Sequence, residues 1–340
     1  CRQQIILECR APDAGMPIDL AGLGWTTRLD EAFAPHAAKV VVDVDPAELK
    51  KLDLPNTTAV CADATAFIAA LHQHQDRLAP VDRQEWLTQC RTWRDTYPVV
   101  RAEFKTPSPF VSTYVFVDTL SDLLGPDDVV VPGSSGGCAE ISFLALKVKL
   151  GQRVINSAGL GAMGFGLPSA LGACLGSGRR RTITILGDGG LQHNVQTLMT
   201  VSHYRLPMKM FILSNNGYAS IRDSQTKHFN GRTVCCDPAS GLSFPGLEQL
   251  AAAYRLPYER VTGSDDLPTR LRRILDADGP VLCELVTDPA QPTIPRLSSE
   301  VRPDGSVVSR PMEDLAPFLD RDELARNMIA SRKSIHHPRT

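Results

Sequence analysis

Three features are missing from this chain of 340 residues, and each absence excludes a class of function. Its 36 basic and 38 acidic residues give a formal net charge of −2, so no charge excess predicts a nucleic-acid partner. Apolar runs such as TITIL at 182–186 are far too short to span a bilayer. The nine cysteines include no C-x-x-C spacing, which argues against a zinc site or a disulfide framework. We therefore expect free thiols in a reducing compartment, and a cytoplasmic protein.

Strand-like and helical segments alternate in the first part of the chain. The segment KVVVDVDPAEL (39–49) predicts a buried strand and then a helix, because Pro46 suits a first helical position. The segment CADATAFIAALHQHQ (61–75) predicts a strand end and a second helix. Since a doubly wound domain needs more units, residues 1–80 are predicted to be the C-terminal part of a Rossmann-like domain. The Trp-, Arg- and Pro-rich stretch that follows predicts a linker over 81–107.

A second α/β block is predicted over residues 108–290. Its strands are continuous apolar runs rather than alternating ones, which is typical of a parallel sheet covered on both faces. The predicted strands are 127–132, 153–157, 181–186, 209–214 and 280–288. The predicted helices are 110–124, 138–150, 166–175, 191–204, 246–255 and 265–276. The fold class is therefore α/β, a doubly wound parallel sheet preceded by part of another Rossmann-like domain, and residues 291–340 form a tail over the active site.

Three polar loops directly follow strands of this sheet. They are GSSGG (133–137), GDGG (187–190) and NNGY (215–218). Ligands of open parallel sheets bind beyond the carboxyl ends of the strands, so these loops are expected to form one site. Each loop taken alone is also explained as an ordinary turn, because Gly, Asn and Asp favour turns. Their common position at strand ends favours a site.

The residue types in two of these loops suit a metal and a diphosphate. Glycines let backbone N–H groups approach an anion, but the carboxylate of Asp188 would repel a phosphate unless a cation lay between them. Mg²⁺ prefers oxygen ligands and commonly bridges a carboxylate to phosphates. Asn215 offers an amide oxygen, and Gly217 offers a backbone carbonyl. Together with Asp188 they leave coordination positions for phosphate oxygens and water.

The motif GDG…NN, at this spacing, resembles the cofactor motif of thiamine diphosphate (ThDP) enzymes. The segments SAGLGAMGFGLPSALGA (157–173) and DVDPAE (43–48) resemble the acetohydroxyacid synthase and pyruvate oxidase group, and the tail over 295–329 is similar to acetolactate synthase-like proteins. The chain is similar to the C-terminal portion of these enzymes only. The resemblance implies a diphosphate-binding domain over 108–290 and the end of a central domain over 1–80.

Carried over by position, the resemblance implies a role for each of the following residues. Asp188, Asn215 and the carbonyl of Gly217 would bind Mg²⁺. The groups that would contact the cofactor are Ser134, Ser135, Gly136, Gly161, Met163, Gly187, Gly189, Gly190 and Tyr218. Among these, the Gly161 carbonyl would accept a hydrogen bond from the cofactor's amino group, and Met163 would be the apolar wedge that bends the cofactor. A plain core methionine is the alternative for Met163.

Several positions depart from the family pattern. Pyruvate-type decarboxylases carry a carboxylate where this chain has Ile221, which weakens simple aldehyde release because that reaction uses an acid as proton donor. Acetohydroxyacid synthases carry a tryptophan where this chain has Ser224, which puts branched-chain amino-acid synthesis in doubt. Gln192, His193 and Arg222 are the polar groups expected near the substrate. For His193 a solvent-exposed helix start is the equal alternative.

The expected function is a ThDP- and Mg²⁺-dependent carboligase that decarboxylates a pyruvate-like 2-keto acid and transfers the acyl unit to a carbonyl acceptor. In this family the activating glutamate lies on a pyrimidine-binding domain of another subunit, and residues 1–107 do not hold such a domain. We therefore expect that domain on another chain or on an N-terminal segment, in a dimer or higher oligomer, with this chain as one subunit of a heteromer. The alternatives are a non-oxidative 2-keto acid decarboxylase and a non-catalytic ThDP-binding subunit. FAD binding is possible but not supported.

Overall fold

The computed structural model describes residues 5–9, 18–19, 38–52, 56–77, 82–134, 136–157, 160–301, 306–310 and 314–333. The chain divides into two compact units, one of residues 1–97 with 318–340 and the other of residues 98–317. Among the described helices, none is long and apolar enough to cross a membrane.

The first unit contains a four-stranded sheet in the order β2-β1-β3-β4, with β3 and β4 parallel. Its strands are β1 (Ile5–Cys9), β2 (Ile18–Asp19), β3 (Ala38–Asp43) and β4 (Thr57–Cys61). Its helices are α1 (Pro46–Lys50), α2 (Ala64–Gln73), α3 (Gln84–Thr96) and α12 (Arg321–Lys333). The side chains of Asp45 and Asp63 cap the two helices that follow the parallel strands, by accepting backbone N–H groups of the first turns.

Helix α3 occupies much of the segment predicted as a linker over 81–107. Its two tryptophans, Trp86 and Trp93, lie seven residues apart on one face and pack edge to face at a centroid distance of 5.7 Å. Trp93 also donates its indole N–H to the Asn327 side chain on α12, at 3.1 Å. The spacing of the two tryptophans is therefore that of a packed helix. The linker was predicted because the polar and proline-rich composition of the segment was given more weight than this spacing.

The second unit is built on a six-stranded sheet in the order β6-β5-β7-β8-β10-β9, and every pair in it is parallel. Its strands are β5 (Val129–Pro132), β6 (Arg153–Val154), β7 (Thr182–Gly187), β8 (Met208–Ser214), β9 (Tyr258–Thr262) and β10 (Val281–Val286). A separate antiparallel pair is formed by β11 (Ser299–Val301) and β12 (Val307–Ser309). The predicted parallel sheet is confirmed.

Helices cover both faces of this sheet. They are α4 (Thr113–Leu123), α5 (Gly136–Ala145), α6 (Gly166–Gly176), α7 (Asp188–Gln192), α8 (Thr197–His203), α9 (Ala219–His228), α10 (Leu247–Ala253) and α11 (Leu267–Asp276). Strand β8 explains why two layers form: Phe211 and Leu213 belong to one buried cluster, and Met210 and Ile212 to the other. Because successive side chains of a strand point to opposite faces, a strand with apolar side chains on both faces needs a cover on each side.

Three parts of the second unit differ from the sequence prediction. The helix predicted over 191–204 is two helices, α7 and α8, and α7 begins at Asp188 itself. Helix α9 was not predicted, because none of its residues is buried and its sequence therefore lacks an apolar period. Strand β9 was also missed: it lies at the edge of the sheet, and its segment YERVT mixes charged and apolar residues.

Candidate functional site

A cavity of about 130 Å³ lies at the carboxyl ends of the three adjacent strands β5, β7 and β8. The loop after each strand contributes to its wall, and so do the starts of α5 and α9. The lining residues are Gly133, Ser134, Gly136, Gly137, Cys138, Met163, Gly164, Gly166, Leu186, Gly187, Asp188, Gly189, Gly190, Leu213, Asn215, Gly217, Tyr218, Ala219, Ser220 and Ile221.

The order of the strands explains why the cavity forms here. The chain runs from β5 outward to β6 at the edge of the sheet, and then crosses back to β7 on the other side of β5. The connections of β5 and β7 therefore leave the sheet in opposite directions. A crevice opens at such a switch point, and this is where ligands of doubly wound sheets bind.

Asp188 connects two of the loops through its carboxylate. One oxygen, Oδ1, accepts the backbone N–H of Gly189 at 2.8 Å. The other, Oδ2, accepts the N–H groups of Asn215, Asn216 and Gly217 at 3.1, 2.9 and 3.4 Å. An ionised carboxylate offers about four acceptor positions, and Oδ1 is engaged by only one of these donors. Asp188 therefore fixes the loop after β8 and keeps an oxygen lone pair available.

Burial dominates the electrostatics of this carboxylate. Asp188 is only 5% exposed, and burial raises its pKa from 3.8 to about 6, although the four backbone N–H groups act in the opposite direction. A cation beside the carboxylate would favour its charged form. The pKa of Asp188 is therefore raised because no partner among the described residues compensates the negative charge of its carboxylate.

The metal-free chain should lose stability as the pH rises through the titration of Asp188. Because the folded-state pKa is about 6 and the ordinary value is 3.8, the folded state binds the proton more tightly. The stabilisation is complete below about pH 4 and is lost as the pH rises through about 6. Thermal unfolding in a chelator, compared between the chain and its Asp188→Asn variant, measures this. A stability difference between the two that does not change from pH 4.5 to 7 would contradict the prediction.

Asn215 contributes a buried oxygen that is not satisfied. Its side-chain Oδ1 has no hydrogen-bond partner among the described residues, although the atom is buried. A buried polar atom without a partner costs about 1–3 kcal/mol, so such atoms usually mark a place for a ligand, a water or an ion. Asn215 lies at the end of the strand next to β7 and lines the same cavity as Asp188.

The carbonyl of Gly217 is oriented by a hydrogen bond on the other side of its peptide group. The N–H of Tyr218 donates to the Cys236 carbonyl at 2.8 Å. Because a trans peptide places its C=O and N–H on opposite sides, the Gly217 carbonyl points away from Cys236. Only glycine fits at 217: its φ is +147°, and a Cβ atom there would lie 2.2 Å from the Cys236 oxygen.

These three groups match the chemistry of a hard divalent cation. One carboxylate, one unpartnered amide oxygen and one backbone carbonyl are oxygen ligands of the type that Mg²⁺ takes. They leave the remaining coordination positions to a ligand and to water. The buried orphan oxygen of Asn215 and the uncompensated burial of Asp188 are the observations that support this fit.

Two helices begin at the cavity, and their N-terminal ends favour the binding of an anion next to the proposed cation. Helix α5 begins at Gly136, and α9 begins at Ala219; each has ten residues, and both first turns line the wall. The free N–H groups and the positive dipole end of a helix start favour a phosphate. Gly136 has a φ of +58°, and a Cβ atom there would lie 2.8 Å from Ser220 Oγ, so the two helix starts are in close contact.

The segment with Gly161 and Met163 approaches this cavity from a third direction. Met163 lines it and is 40% exposed, so it is not an ordinary core methionine. A Cβ atom on Gly189 would lie 3.2 Å from Met163 Cε and 2.3 Å from the Tyr218 ring. Gly161 has a φ of +57° and lies close to the backbone oxygen of Ser134, but it is not part of the cavity wall.

Besides Gly161, three expected site residues lie outside the cavity. Gln192 and His193 do not line it, because α7 starts directly at Asp188 and has turned away by its last residue, and His193 is exposed at its end. Gln192 Nε2 is nevertheless buried and unpartnered among the described residues. Arg222 donates to the Pro289 carbonyl at 2.8 Å and lines a second, larger cavity of about 640 Å³. Ser135 falls outside the described residues.

Other residues of the wall were not anticipated. Ala219 and Ser220 belong to the start of the unpredicted helix α9, and Gly164 and Gly166 belong to the segment that contains Met163. The glycine spacing G-x-M-G-x-G over 161–166 could have predicted that this segment packs closely against the site. A Cβ atom on Gly166 would lie 2.4 Å from Leu186 Cδ2, and one on Gly164 would lie 2.5 Å from His193 Cβ.

The region that carries this cavity is similar to known proteins. Residues 135–285 match the family described as "Thiamine pyrophosphate enzyme, C-terminal TPP binding domain". The chain is 31% identical over 259 residues to the acetolactate synthase isozyme 2 large subunit of Escherichia coli strain K12, covering 75% of this chain and 44% of that protein. It is 29% identical over 290 residues to the acetolactate synthase large subunit of Cyanidium caldarium, covering 80% and 46%. The chain thus spans less than half the length of these relatives.

A solved structure has a similar fold. The thiamine diphosphate-dependent 4-hydroxybenzoylformate decarboxylase of Rhodococcus jostii RHA1 aligns with a TM-score of 0.56 and 23% identity. The alignment covers 73% of this chain and 44% of that one. At 23% identity, this similarity shows a shared fold only.

Proposed function

We propose that this chain is part of a thiamine diphosphate-dependent carboligase of the acetolactate synthase type, because residues 135–285 match the family of C-terminal TPP binding domains and the chain is similar to acetolactate synthase large subunits. The proposed reaction decarboxylates a pyruvate-like 2-keto acid and joins the acyl unit to a carbonyl acceptor. It depends on thiamine diphosphate and Mg²⁺.

One observation carries the cofactor part of the proposal. The buried, unpartnered oxygen of Asn215 and the buried carboxylate of Asp188 line one cavity at the ends of adjacent strands. Together with the Gly217 carbonyl they would hold the Mg²⁺. A non-catalytic subunit would have no need of these cation ligands, so their presence supports an enzyme.

The rest of the cavity would hold the diphosphate and orient the cofactor. The N–H groups at the starts of α5 and α9, with Ser134 and residues 187–190, would bind phosphate oxygens. Met163 would support the bent conformation of the cofactor, and the Gly161 carbonyl would accept a hydrogen bond from the cofactor's amino group. When bound, thiamine diphosphate supplies the electron sink that makes loss of CO₂ from a 2-keto acid feasible. The chain's own task is to bind, to orient and to exclude water.

A second protein domain is part of the proposal. Thiamine diphosphate enzymes of this group use a glutamate on a pyrimidine-binding domain, and residues 98–317 form the other half of such a site. Glu140 lines only the larger cavity and lies at the exposed surface of α5. We propose that the glutamate comes from another chain or from a preceding segment, in a dimer or larger assembly.

The choice of ligation over aldehyde release rests on Ile221. Its aliphatic side chain lies on the cavity wall and is 43% exposed, at the position where pyruvate-type decarboxylases carry an acid. An aliphatic group cannot donate a proton. Without a proton donor at this position, release of the acyl unit as a free aldehyde would be slower, which would favour its transfer to a carbonyl acceptor.

Ile221→Glu should shift the product ratio from ligation towards free aldehyde by roughly tenfold or more, because it adds a proton donor at the cavity wall. The assay uses the chain with its pyrimidine-binding partner, thiamine diphosphate, Mg²⁺ and pyruvate, with a panel of aldehydes and 2-keto acids as acceptors.

Ile221→Gln is the matched control, since it changes size and polarity but adds no acid. Acetaldehyde as the sole product of the unmodified complex with every acceptor would replace the proposed carboligase by a decarboxylase.

A further inference from the structure

Two adjacent cysteines lie directly behind the loop that carries Gly217. Cys235 is exposed and Cys236 is fully buried, and both are free thiols. The Cys236 carbonyl accepts the N–H of Tyr218, and it is also the atom that a Cβ on Gly217 would strike first. The thiol pair and the proposed metal loop are therefore in backbone-to-backbone contact, with no intervening side chain.

A small hydrogen-bond network holds the pair in its present conformation. The N–H of Cys235 donates to the Ser240 carbonyl at 2.8 Å, and the N–H of Cys236 donates to Ser240 Oγ at 3.0 Å. The sulfur of Cys236 lies 3.5 Å from the same hydroxyl. Ser240 is fixed in turn by Asp237, whose side chain accepts both its N–H and its hydroxyl.

The backbone at Cys235 is already under strain. Its φ of +50° lies in the left-handed region, which is unfavourable for a residue with a Cβ atom. Such strain persists where surrounding contacts impose it, and it is common in switch regions. The Ser240 contacts supply that constraint here.

A disulfide between neighbours would force this arrangement to change. Consecutive Cα atoms are about 3.8 Å apart across a trans peptide. Unstrained disulfides have Cα atoms about 4.4–6.8 Å apart, which neighbouring residues cannot reach, so the closed ring is strained and restricts the backbone torsions of both cysteines. The Cys236 sulfur would leave Ser240, and the carbonyl of the same residue would be withdrawn from Tyr218. Strained and exposed disulfides are also the readily reduced ones, so the change would be reversible.

We propose that Cys235 and Cys236 form a redox-sensitive pair, oxidised by low-molecular-weight disulfides such as oxidised glutathione, whose closure releases the Tyr218 N–H and disorders the carbonyl of Gly217. This pair is a modification site beyond the catalytic reaction. Its effect on cofactor affinity rests on the proposed function, whereas the backbone change does not.

The chemistry balances without any further reagent. The Cys235 thiolate attacks one sulfur of oxidised glutathione, forms a mixed disulfide and releases one glutathione thiolate. The Cys236 thiol then loses its proton, its sulfur attacks Cys235 Sγ, and the second glutathione thiolate leaves. Two protein thiols are oxidised, one glutathione disulfide is reduced, and the two protons end on the released thiolates.

The test treats the full chain with oxidised glutathione and follows three quantities. Peptide mass spectrometry should find the 235–236 peptide lighter by two hydrogens. Amide hydrogen exchange of the cofactor-free chain should become faster at Tyr218. Thiamine diphosphate affinity at saturating Mg²⁺ should fall roughly five- to tenfold, which corresponds to the loss of one backbone hydrogen bond, and a dithiol reductant should restore it.

Two variants make the test specific. Cys235→Ser should keep the affinity of the reduced chain and abolish the response, whereas Cys61→Ser, which removes another exposed cysteine, should leave the response intact. A stable mixed disulfide without ring closure, or a closed ring with unchanged exchange at Tyr218, would overturn the proposal. A reduced chain that binds no thiamine diphosphate, while ring closure still exposes the Tyr218 amide, would refute the proposed function and support the thiol pair.

Discussion

Asp188→Ala is expected to abolish the Mg²⁺-dependent binding of thiamine diphosphate, with the Kd for the cofactor rising roughly a hundredfold or more. Asp188 supplies the only carboxylate among the described residues that line the cavity, so its removal would leave the proposed cation with neutral oxygens alone. The loop after β8 would also lose the acceptor of three backbone N–H groups. Calorimetric titration with thiamine diphosphate at saturating Mg²⁺ measures the change.

Two further variants separate the proposed metal site from folding. Asp188→Asn keeps one acceptor oxygen and removes the buried charge, so at pH 7.5 we expect a fold at least as stable as the metal-free parent, without Mg²⁺-dependent binding. Asp223→Ala removes a carboxylate from nearby α9, where it pairs with Lys227 and Arg296, and should leave binding nearly unchanged. Equal loss of binding in Asp188→Ala and Asp223→Ala would mean that general charge, rather than coordination, attracts the cofactor.

Gly217→Ala is expected to destabilise the chain by about 3 kcal/mol or more and to remove cofactor binding. The new Cβ would lie 2.2 Å from a backbone oxygen, and the residue would be held at a φ of +147°. Neither the Cys236 backbone nor the Asp188-bound loop can move away without breaking hydrogen bonds. Urea unfolding gives the stability, and titration at saturating Mg²⁺ gives the affinity.

Gly241→Ala separates backbone strain from close contact. Gly241 has a φ of +100°, but a Cβ there would meet nothing within 4 Å. This variant should therefore cost about 1 kcal/mol and retain cofactor affinity. If Gly217→Ala proves no more harmful than Gly241→Ala, the close approach of residues 217 and 236 is not what holds the loop.

The central sheet could be predicted because burial on both faces leaves a direct trace in sequence. Strands β7 and β8 are rich in apolar residues and buried along almost their whole length, and each ends at a polar or glycine residue. Because these strand ends lie at one edge of the sheet, they predict that Asp188 and Asn215 lie at that same edge. Edge strand β9 left no such trace, because its side chains are only partly covered.

Parts of the cavity wall depend on contacts that no local pattern encodes. Helix α9 has no buried residue and only one large apolar side chain, Ile221, and it is held by groups far along the chain, as where Arg222 donates to the Pro289 carbonyl. Its start at the cavity therefore could not be predicted from periodicity. Residue type also suggested that His193 faces the site, but its direction depends on α7 beginning at Asp188 without an intervening turn.

The hydrogen bonds between Asp188 and residues 215–217 also bear on how fast the site can be filled. Because these bonds order the loop before any ligand arrives, cation and cofactor encounter ligand groups that are already in place, and little conformational entropy is lost on binding. The association rate should then be limited by diffusion and by the slow dehydration of Mg²⁺ rather than by a search of the loop through its conformations.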